Sequence, residues 1–556
     1  MSESQSAKER VVKAFEEIAL LMELAGENPF KTRSYVNGAR TIEALGEDIE
    51  VVMREGRLRE IKGIGEALSE KIESLLTTGR IPFLEELRAK FPETLFELFN
   101  IPGLGAKRIK QFYDELGIKS MRELKEACET NRLAALKGVG EKMEAKILEG
   151  IAYAEEHVGQ FHFHIAEAAA LELLDHVRSC KAVICVELAG SLRRRKEVVK
   201  DIDIVASSKH PETVMSHFVA YPQRKRVTGH GDTKSSIILG NGMSADLRVV
   251  KDEVFPYTLA HFTGSKDHNV VMRQRAKDRD LKLNEYGLHQ ESGDVLPAKE
   301  ESDIYKALDL PYIPPEMRED MGEFELTETP RLITDDDVRG VIHCHTTYSD
   351  GRNTLREMLD AAIAAGYEYM LITDHSQTAA YAGGLKPEDI ARQHAEIDAL
   401  NKELKGFRVL KGIESDILGD GALDYDDDVM RSFDLVVASV HNKLDMDEVE
   451  ATARVVRAIE HPCCDIIGHP TGRLLLQRKG FPLDWDRVFD ACLANNVALE
   501  INGNGMRLDA DWRVVLRGKR KGVKFCIGPD AHRTTAIDNI RYGVGIARKG
   551  WLAPED

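Results

Sequence analysis

The chain has 556 residues, 43% of them hydrophobic and 31% charged, with a formal net charge of −18. This length exceeds what one hydrophobic core can organise and implies roughly three or four domains of ordinary globular composition. No apolar run approaches the roughly 18–20 residues needed to span a bilayer, so no membrane partner is expected. The acidity argues against a uniformly basic nucleic-acid-binding protein, because phosphate binding needs local positive potential. The charge is nevertheless segregated: Arg193-Arg194-Arg195-Lys196 and Arg224-Lys225-Arg226 lie apart from Asp335–Asp337 and Asp426–Asp428. The eight cysteines contain no C-x-x-C pair, and only Cys463 and Cys464 are close. That pattern excludes a zinc knuckle or a disulfide framework and fits a reducing, cytoplasmic setting. Met1–Ser6 lacks the basic and apolar segments of a secretory signal.

From Lys8 to about Gly150 the pattern is helical, and one short element recurs. It reads Ile61-Lys-Gly63-Ile-Gly65, Ile101-Pro-Gly103-Leu-Gly105 and Leu136-Lys-Gly138-Val-Gly140, each before a helical stretch. Glycine permits the turn and leaves no side chain over the amides, so the following helix offers its N-terminal N–H groups to a phosphate. A single copy reads equally well as a glycine-capped connection between helices. Three copies in one region point to DNA-backbone binding without sequence readout.

From about Phe161 the texture changes to strands, predicted at Ala182–Ala189, Ile202–Ala206, Ser235–Leu239 and Ala245–Val250. Gly240-Asn-Gly-Met joins the last two as a hairpin loop. Asp201 and Asp203 are two apart on one strand, so both carboxylates leave the same face. They repel one another unless a cation lies between them, and hard oxygen ligands of this kind suit Mg²⁺. Asp246 can add a third carboxylate from a neighbouring strand, completing a site for in-line phosphoryl transfer. Upstream, Gly190, Ser191 and Arg194 are placed to hold triphosphate oxygens. A D-x-D pair alone is also a common solvated strand edge; the preceding G-S-x-R-R and the later aspartate make the pattern specific.

Pro311, Pro314 and Pro315 and the acidic stretch to Asp337 read as a linker. From Gly340 onward strands ending in His or Asp alternate with helices, as in an α/β barrel. His343 and His345 form an i, i+2 pair at a strand end, and Asp350 follows in the loop. His375, Glu414, His441, His469, Asp530 and His532 each come just after an apolar strand-like run. One such histidine is ordinarily a structural one, but in a closed barrel all strand ends open on one face, where these residues converge. Their imidazole and carboxylate mix favours Mn²⁺, Zn²⁺ or Fe²⁺.

The G-S-x-R-R…D-x-D arrangement, His261-Phe-Thr-Gly-Ser-Lys-Asp-His-Asn269, Arg273 and Leu283-Asn-Glu-Tyr-Gly287 resemble the X-family DNA polymerases typified by DNA polymerase beta. By that resemblance Asp201, Asp203 and Asp246 bind the catalytic metals and Ser191 and Arg194 the phosphates. Phe262, Gly264, Asn269 and Arg273, with His261, contact the incoming nucleotide or the nascent pair. The chain departs from the family pattern at His261, where a Tyr is expected, and at Lys266, where an Asp is expected. Lys71 falls where the family has a Schiff-base lysine for removal of 5′-deoxyribose phosphate, and Lys31 and Tyr35 echo its neighbours; a plain phosphate contact is the alternative. The C-terminal set resembles the PHP (polymerase and histidinol phosphatase) domain, with all its ligands for up to three metals.

The resemblance implies a multidomain chain in six parts. These are helix-hairpin-helix domains at 1–90 and 91–157, an α+β nucleotidyltransferase palm at 158–252, a nucleotide-selection domain at 253–317, a linker at 318–337 and a distorted (β/α)7 PHP barrel at 338–556. The expected function is gap filling with dNTPs on gapped or primer-template DNA, joined to a 3′→5′ exonuclease that in some relatives also cuts at abasic sites. A monomer is expected. Two rivals remain: a DNA-end-binding scaffold whose metals are structural, and a small-molecule phosphatase at the PHP site.

Overall fold

The computed structural model describes residues 7–43, 45 and 47–556; Met1–Ser6, where the absence of a secretory signal was read, lies outside them. The chain divides into two compact units, residues 1–158 and, apart from 476–478, residues 159–556.

The first unit is helical, and its amphipathic faces form two apolar cores. Val11, Phe15, Ile18, Ile42 and Ile72 lie in one, and Leu98, Ile109, Phe112, Leu124 and Ile151 in the other. Each predicted G-h-G turn leads into a helix: Glu66–Thr78, Ala106–Leu116 and Glu141–Glu156. The first and second of these end on Gly79 and Gly117 in the left-handed conformation, which releases the chain into the next turn.

The second unit holds two sheets. Five strands run in the order Val183–Leu188, Asp201–Ser208, Ser244–Val250, Lys234–Leu239 and Arg224–His230. The strand Arg224–His230 was not expected from the sequence, where its basic residues read as a charge cluster. As an edge strand it keeps them in solvent, and its alternating pattern is lost in the charge. Seven parallel strands follow in chain order, from Gly340–Cys344 through Arg408–Asp416 to Phe525–Gly528. They close on themselves where Ala531 pairs with Cys344: His345 N–H donates to the Ala531 carbonyl at 2.9 Å and Ala531 N–H to the His343 carbonyl at 3.1 Å. The expected α/β barrel is borne out. Its strands read as continuous apolar runs because both faces are covered.

The two sheets share one core. Leu173, Val177, Ile204 and Leu247 from the first sheet region pack in the same cluster as Leu508, Trp512, Tyr542 and Ile546 from the barrel side. Residues 318–337, expected to be a linker, differ in their burial: Arg318 and Glu323 are fully buried. Their charges are internal partners. Arg318 pairs with Glu301 at 2.5 Å, and Glu323 with His268 at 2.8 Å. Lys549, on the last helix, is also fully buried and pairs with Glu319 at 2.6 Å. Among the described residues no helix is long and apolar enough to cross a membrane.

Burial pulls the Lys549 ammonium down to about 8, against the opposing pull of Glu319. A lysine that binds its proton less tightly when folded gains stability as pH rises from its folded to its unfolded value. Stability to urea should therefore rise between about pH 8 and pH 10.4, by up to about 3 kcal/mol, relative to a Lys549→Met variant. Parallel pH curves for the two proteins would show that Lys549 keeps its proton in the fold.

Candidate active sites

In the helical unit the three turns are built alike. Gly63, Gly103 and Gly138 have φ of +97°, +76° and +77°, the left-handed region that favours glycine. Gly65, Gly105 and Gly140 are extended and act as N-caps with no side-chain cap, so the first amides of each helix are left for another acceptor. A Cβ on Gly65, Gly105 or Gly140 would meet nothing, so these backbones face open space. Lys62, Lys107, Lys137 and Lys142 are exposed around them. The second and third turns are locked together: Arg108 donates to the Gly138 carbonyl at 3.0 Å and Gln111 to the Lys137 carbonyl at 3.2 Å. Lys71 donates to the Ala67 carbonyl at 3.1 Å and lies over the rings of Phe83 and Tyr35 at 5.2 and 5.8 Å. Lys31 is exposed and Tyr35 is buried.

In the five-stranded sheet Asp203 and Asp246 sit opposite one another on neighbouring parallel strands, with Asp201 two residues before Asp203. All three expected carboxylates therefore share one sheet face. Burial, then Asp201 and Asp246, push Asp203 up to about 6; burial and Asp246 also raise Asp201. Asp246 accepts from Ser236 at 2.6 Å and pairs with Lys234 at 2.6 Å. Clustered, partly buried oxygens that resist ionisation together fit a divalent cation. Gly190 has φ +64°, and a Cβ there would collide with the Asp203 carboxylate, so the turn carrying Ser191 passes directly against the triad.

Arg194 stands otherwise than its expected phosphate role requires. Its guanidinium is largely buried, pairs with Glu319 at 2.9 Å and donates to the Thr263 carbonyl at 2.7 Å. Lys549 reaches the same Glu319 and also donates to the Arg194 carbonyl at 3.0 Å. Sequence patterning missed this arrangement because Glu319 and Lys549 are distant in the chain and each reads as a surface charge. His261, Asn269 and Arg273 line one small cleft. The Asn269 amide donates to the carbonyls of His261 and Gly264 at 2.8 and 3.1 Å, pinning the turn after the helix Phe255–Thr263. A Cβ on Gly264 would press on Asn269 at 2.7 Å. Phe262 is covered by the Arg248 guanidinium at 4.1 Å.

At the barrel rim all nine expected ligands come together in four overlapping groups: His345, Asp350, His375 and His532; His343, His469 and Asp530; His343, His345 and Glu414; and His375, Glu414 and His441. Glu414 is central. His375 and His469 lie 2.9 Å from it, His441 3.2 Å, His343 3.3 Å and His345 3.7 Å. Both ring nitrogens of His345 and Nε2 of His343 are buried without a hydrogen-bonding partner. Orphaned nitrogens facing carboxylates at these spacings fit metal ions of the transition series. His343, His469 and Asp530 have φ of +62°, +26° and +51°, sparsely populated backbone that turns their side chains into the cluster. Burial would raise Glu414, but His441, His343 and His375 hold it well below the carboxylate range.

Two carboxylates that the sequence reading missed orient these ligands. Glu500 meets His343 Nδ1 at 2.5 Å and accepts from the His469 backbone at 2.6 Å, and Asp416 meets His441 Nδ1 at 2.5 Å. Such partners fix which nitrogen faces the metal. Their signal was present in the sequence: Glu500 and Asp416 interrupt apolar strands next to ligand positions. Asp374, beside His375, is fully buried and accepts from Thr346, Ser349 and Gln393, holding the loop after His345.

Family models match a helix-hairpin-helix domain over residues 6–81, a SAM-like helix-hairpin-helix tandem over 95–152, a DNA polymerase beta thumb over 258–319 and a PHP domain over 342–504. Rat DNA polymerase lambda is 26% identical over 47% of this chain and 48% of its own. A probable phosphatase of a Thermoanaerobacter species is 28% identical over 39% of this chain and 88% of its own. The DNA polymerase/3′-5′ exonuclease PolX of Bacillus subtilis is 40% identical over 98% of this chain and 96% of its own. With identity of that extent along almost its whole length, the chain belongs to the PolX family, X-family DNA polymerases that carry a C-terminal PHP domain.

Proposed function

We propose that this chain is a cytoplasmic, monomeric repair polymerase that fills short DNA gaps with dNTPs and trims 3′ ends at its PHP site. The observation that carries the reading is the pair of complete sites in one compact unit: the in-register Asp203 and Asp246 with Asp201, and the nine-ligand rim. Asp201, Asp203 and Asp246 would hold Mg²⁺, which would supply charge stabilisation for phosphoryl transfer to the primer hydroxyl. The close turn at Gly190 and Ser191 presents its backbone to the triphosphate, and Arg194 joins once Glu319 releases it. His261, Phe262, Gly264, Asn269 and Arg273 form the nucleotide-facing surface. At the PHP site His343, His345, Asp350, His375, Glu414, His441, His469, Asp530 and His532 would hold Mn²⁺ or Zn²⁺, up to three ions, which would supply Lewis-acid activation of water. Glu500 and Asp416 keep His343 and His441 in the ligating orientation. A small-molecule phosphatase reading accounts for the PHP rim alone and leaves the triad and the hairpins without a role.

The two chemistries should separate. Asp203→Ala should lower gap filling by orders of magnitude while 3′→5′ degradation continues, and Asp530→Ala should do the reverse, with Mn²⁺ a better activator of the nuclease than Mg²⁺. Extension and degradation assays on one 5′-labelled primer in a gapped duplex read both outcomes. If either variant lost neither activity, the corresponding site would lie elsewhere.

Gly63, Gly65, Gly103, Gly105, Gly138 and Gly140 carry DNA-backbone binding in this reading. Gly105→Ala is the clean probe, because its backbone is extended and its side faces open space, so the fold should tolerate the methyl group. Affinity for a gapped duplex should fall several-fold irrespective of sequence, and binding should weaken with salt as counterions are released. Unchanged affinity would make this turn a connector only.

Lys71 is assigned as the lyase nucleophile. Its amine would condense with the C1′ aldehyde of a 5′-deoxyribose phosphate, losing water to give an imine. Borohydride should reduce that imine to a stable protein–DNA adduct in the wild type but not in Lys71→Ala. No adduct in the wild type would leave Lys71 as a phosphate contact.

A further inference from the structure

Beside the PHP cluster stands an aromatic side chain that the ligand set does not use. Tyr381 is 72% exposed, although Ala379, Ala382 and Leu385 around it are buried. Its ring centroid lies 6.1 Å from that of His375 and 6.4 Å from that of His441. The loop that carries it is pinned on both sides. Leu385 N–H donates to the His375 carbonyl at 2.8 Å, Thr378 N–H to Asp424 at 2.7 Å and Gln377 N–H to the Tyr425 hydroxyl at 3.1 Å. A Cβ on Gly384 would run into the Ser376 carbonyl, so the loop cannot thicken there. An exposed ring on a fixed loop forgoes burial of its apolar surface and is already ordered for a ligand.

Arg507 stands at the same mouth. Its Nε lies 3.4 Å from Asp530, its terminal NH₂ groups donate to nothing among the described residues, and its charge is felt at the Tyr381 hydroxyl. Its backbone is held by Arg507 N–H donating to the Asn504 carbonyl at 2.7 Å and by the Arg507 carbonyl accepting from Arg473 at 2.9 Å. A guanidinium with free donors beside a metal cluster is matched to a phosphate oxygen.

We propose that Tyr381 and Arg507 form the receiving site for the 3′-terminal nucleotide of a DNA strand, the tyrosine stacking on its base and the arginine holding the phosphate to be cleaved. The pairing of a flat aromatic face with a cation next to the metal ligands selects a nucleotide over a small phosphate ester. Stacking on one ring accepts any base, which suits removal of whatever nucleotide ends the strand. This inference rests on the exonuclease reading of the PHP site and names the group that site recognises.

The test uses the full chain loaded with Mn²⁺ and two single-stranded oligonucleotides, one ending in a normal 3′ nucleotide and one in a 3′ sugar phosphate without a base. Tyr381→Ala should raise KM for the normal end about tenfold, a stacking loss within the range for one base, and leave the baseless end unchanged. Tyr381→Phe should match the wild type on both ends. Arg507→Met should slow both ends alike. An independent readout is a 3′-terminal 2-aminopurine strand titrated onto the protein in Ca²⁺. Its fluorescence should be quenched by the wild type and by Tyr381→Phe, and not by Tyr381→Ala. Equal loss on both ends in Tyr381→Ala, or quenching that survives that substitution, would overturn the base-stacking role. Wild-type cleavage of Arg507→Met on both ends would overturn the phosphate role. Failure of the wild type itself to degrade either strand would remove the exonuclease reading, a result distinct from these.

Discussion

The barrel depends on one electrostatic constraint: most of the carboxylates and imidazoles at its rim are buried together. Glu414 sits among five histidines, and its charge is stable there only because positive charge surrounds it. Protonated imidazoles can supply that charge, or bound cations can. The nitrogens of His343 and His345 are buried facing carboxylates without forming hydrogen bonds to them, an arrangement that a bound cation would fill. The same constraint explains the backbone. Left-handed conformations at His343, His469 and Asp530 cost of order 1–3 kcal/mol each, and they persist because Glu500 and the neighbouring ligands over-determine the side chains. Parallel strands make this affordable, for they all deliver their C-terminal ends to one face.

The five-stranded sheet and the barrel do not behave as beads on a string. Their apolar residues merge in one cluster, and the acidic segment between them contributes buried partners rather than slack. Lys549 of the last helix and Arg194, at the end of the short helix Gly190–Arg193, converge on one carboxylate, Glu319. Under the proposed assignment, a triphosphate that recruited Arg194 would compete with an ion pair inside the protein, and Lys549 would remain to balance Glu319. The proposed nucleotide site would thus be linked, through Glu319, to the last helix of the chain.

Much of this was legible in the sequence, for reasons of period and chemistry. Asp201 and Asp203 announce a shared strand face because side chains alternate, and the histidines after apolar runs announce a rim because parallel strands end together. The glycine turns are legible because no other residue takes φ near +77° without strain. What stayed hidden was whatever depends on packing between distant segments. Glu319, Glu323 and Arg318 look like solvated linker charges until Lys549, His268 and Glu301 are placed against them. Glu500 and Asp416 look like strand residues until a histidine nitrogen faces them. Arg194 was assigned to phosphate from its position in a motif, yet a motif does not tell which competing anion the fold supplies.

A rim rich in metal-ligating side chains is by itself a poor discriminator. Metals held by the PHP cluster would activate water against a phosphorus centre, and that chemistry would be the same for a phosphate ester of any size; a probable phosphatase and the B. subtilis exonuclease both share similarity with this chain. Selection must come from groups that do not touch the metals. Specificity is a difference of affinities, and it is gained where a feature rewards one ligand only. A rigid exposed ring rewards a base and ignores a bare phosphate, whereas a guanidinium rewards both equally. Tyr381 and Arg507 therefore divide the task by kind: the arginine adds affinity for the reacting group, and the tyrosine confines that affinity to ligands that carry a nucleobase.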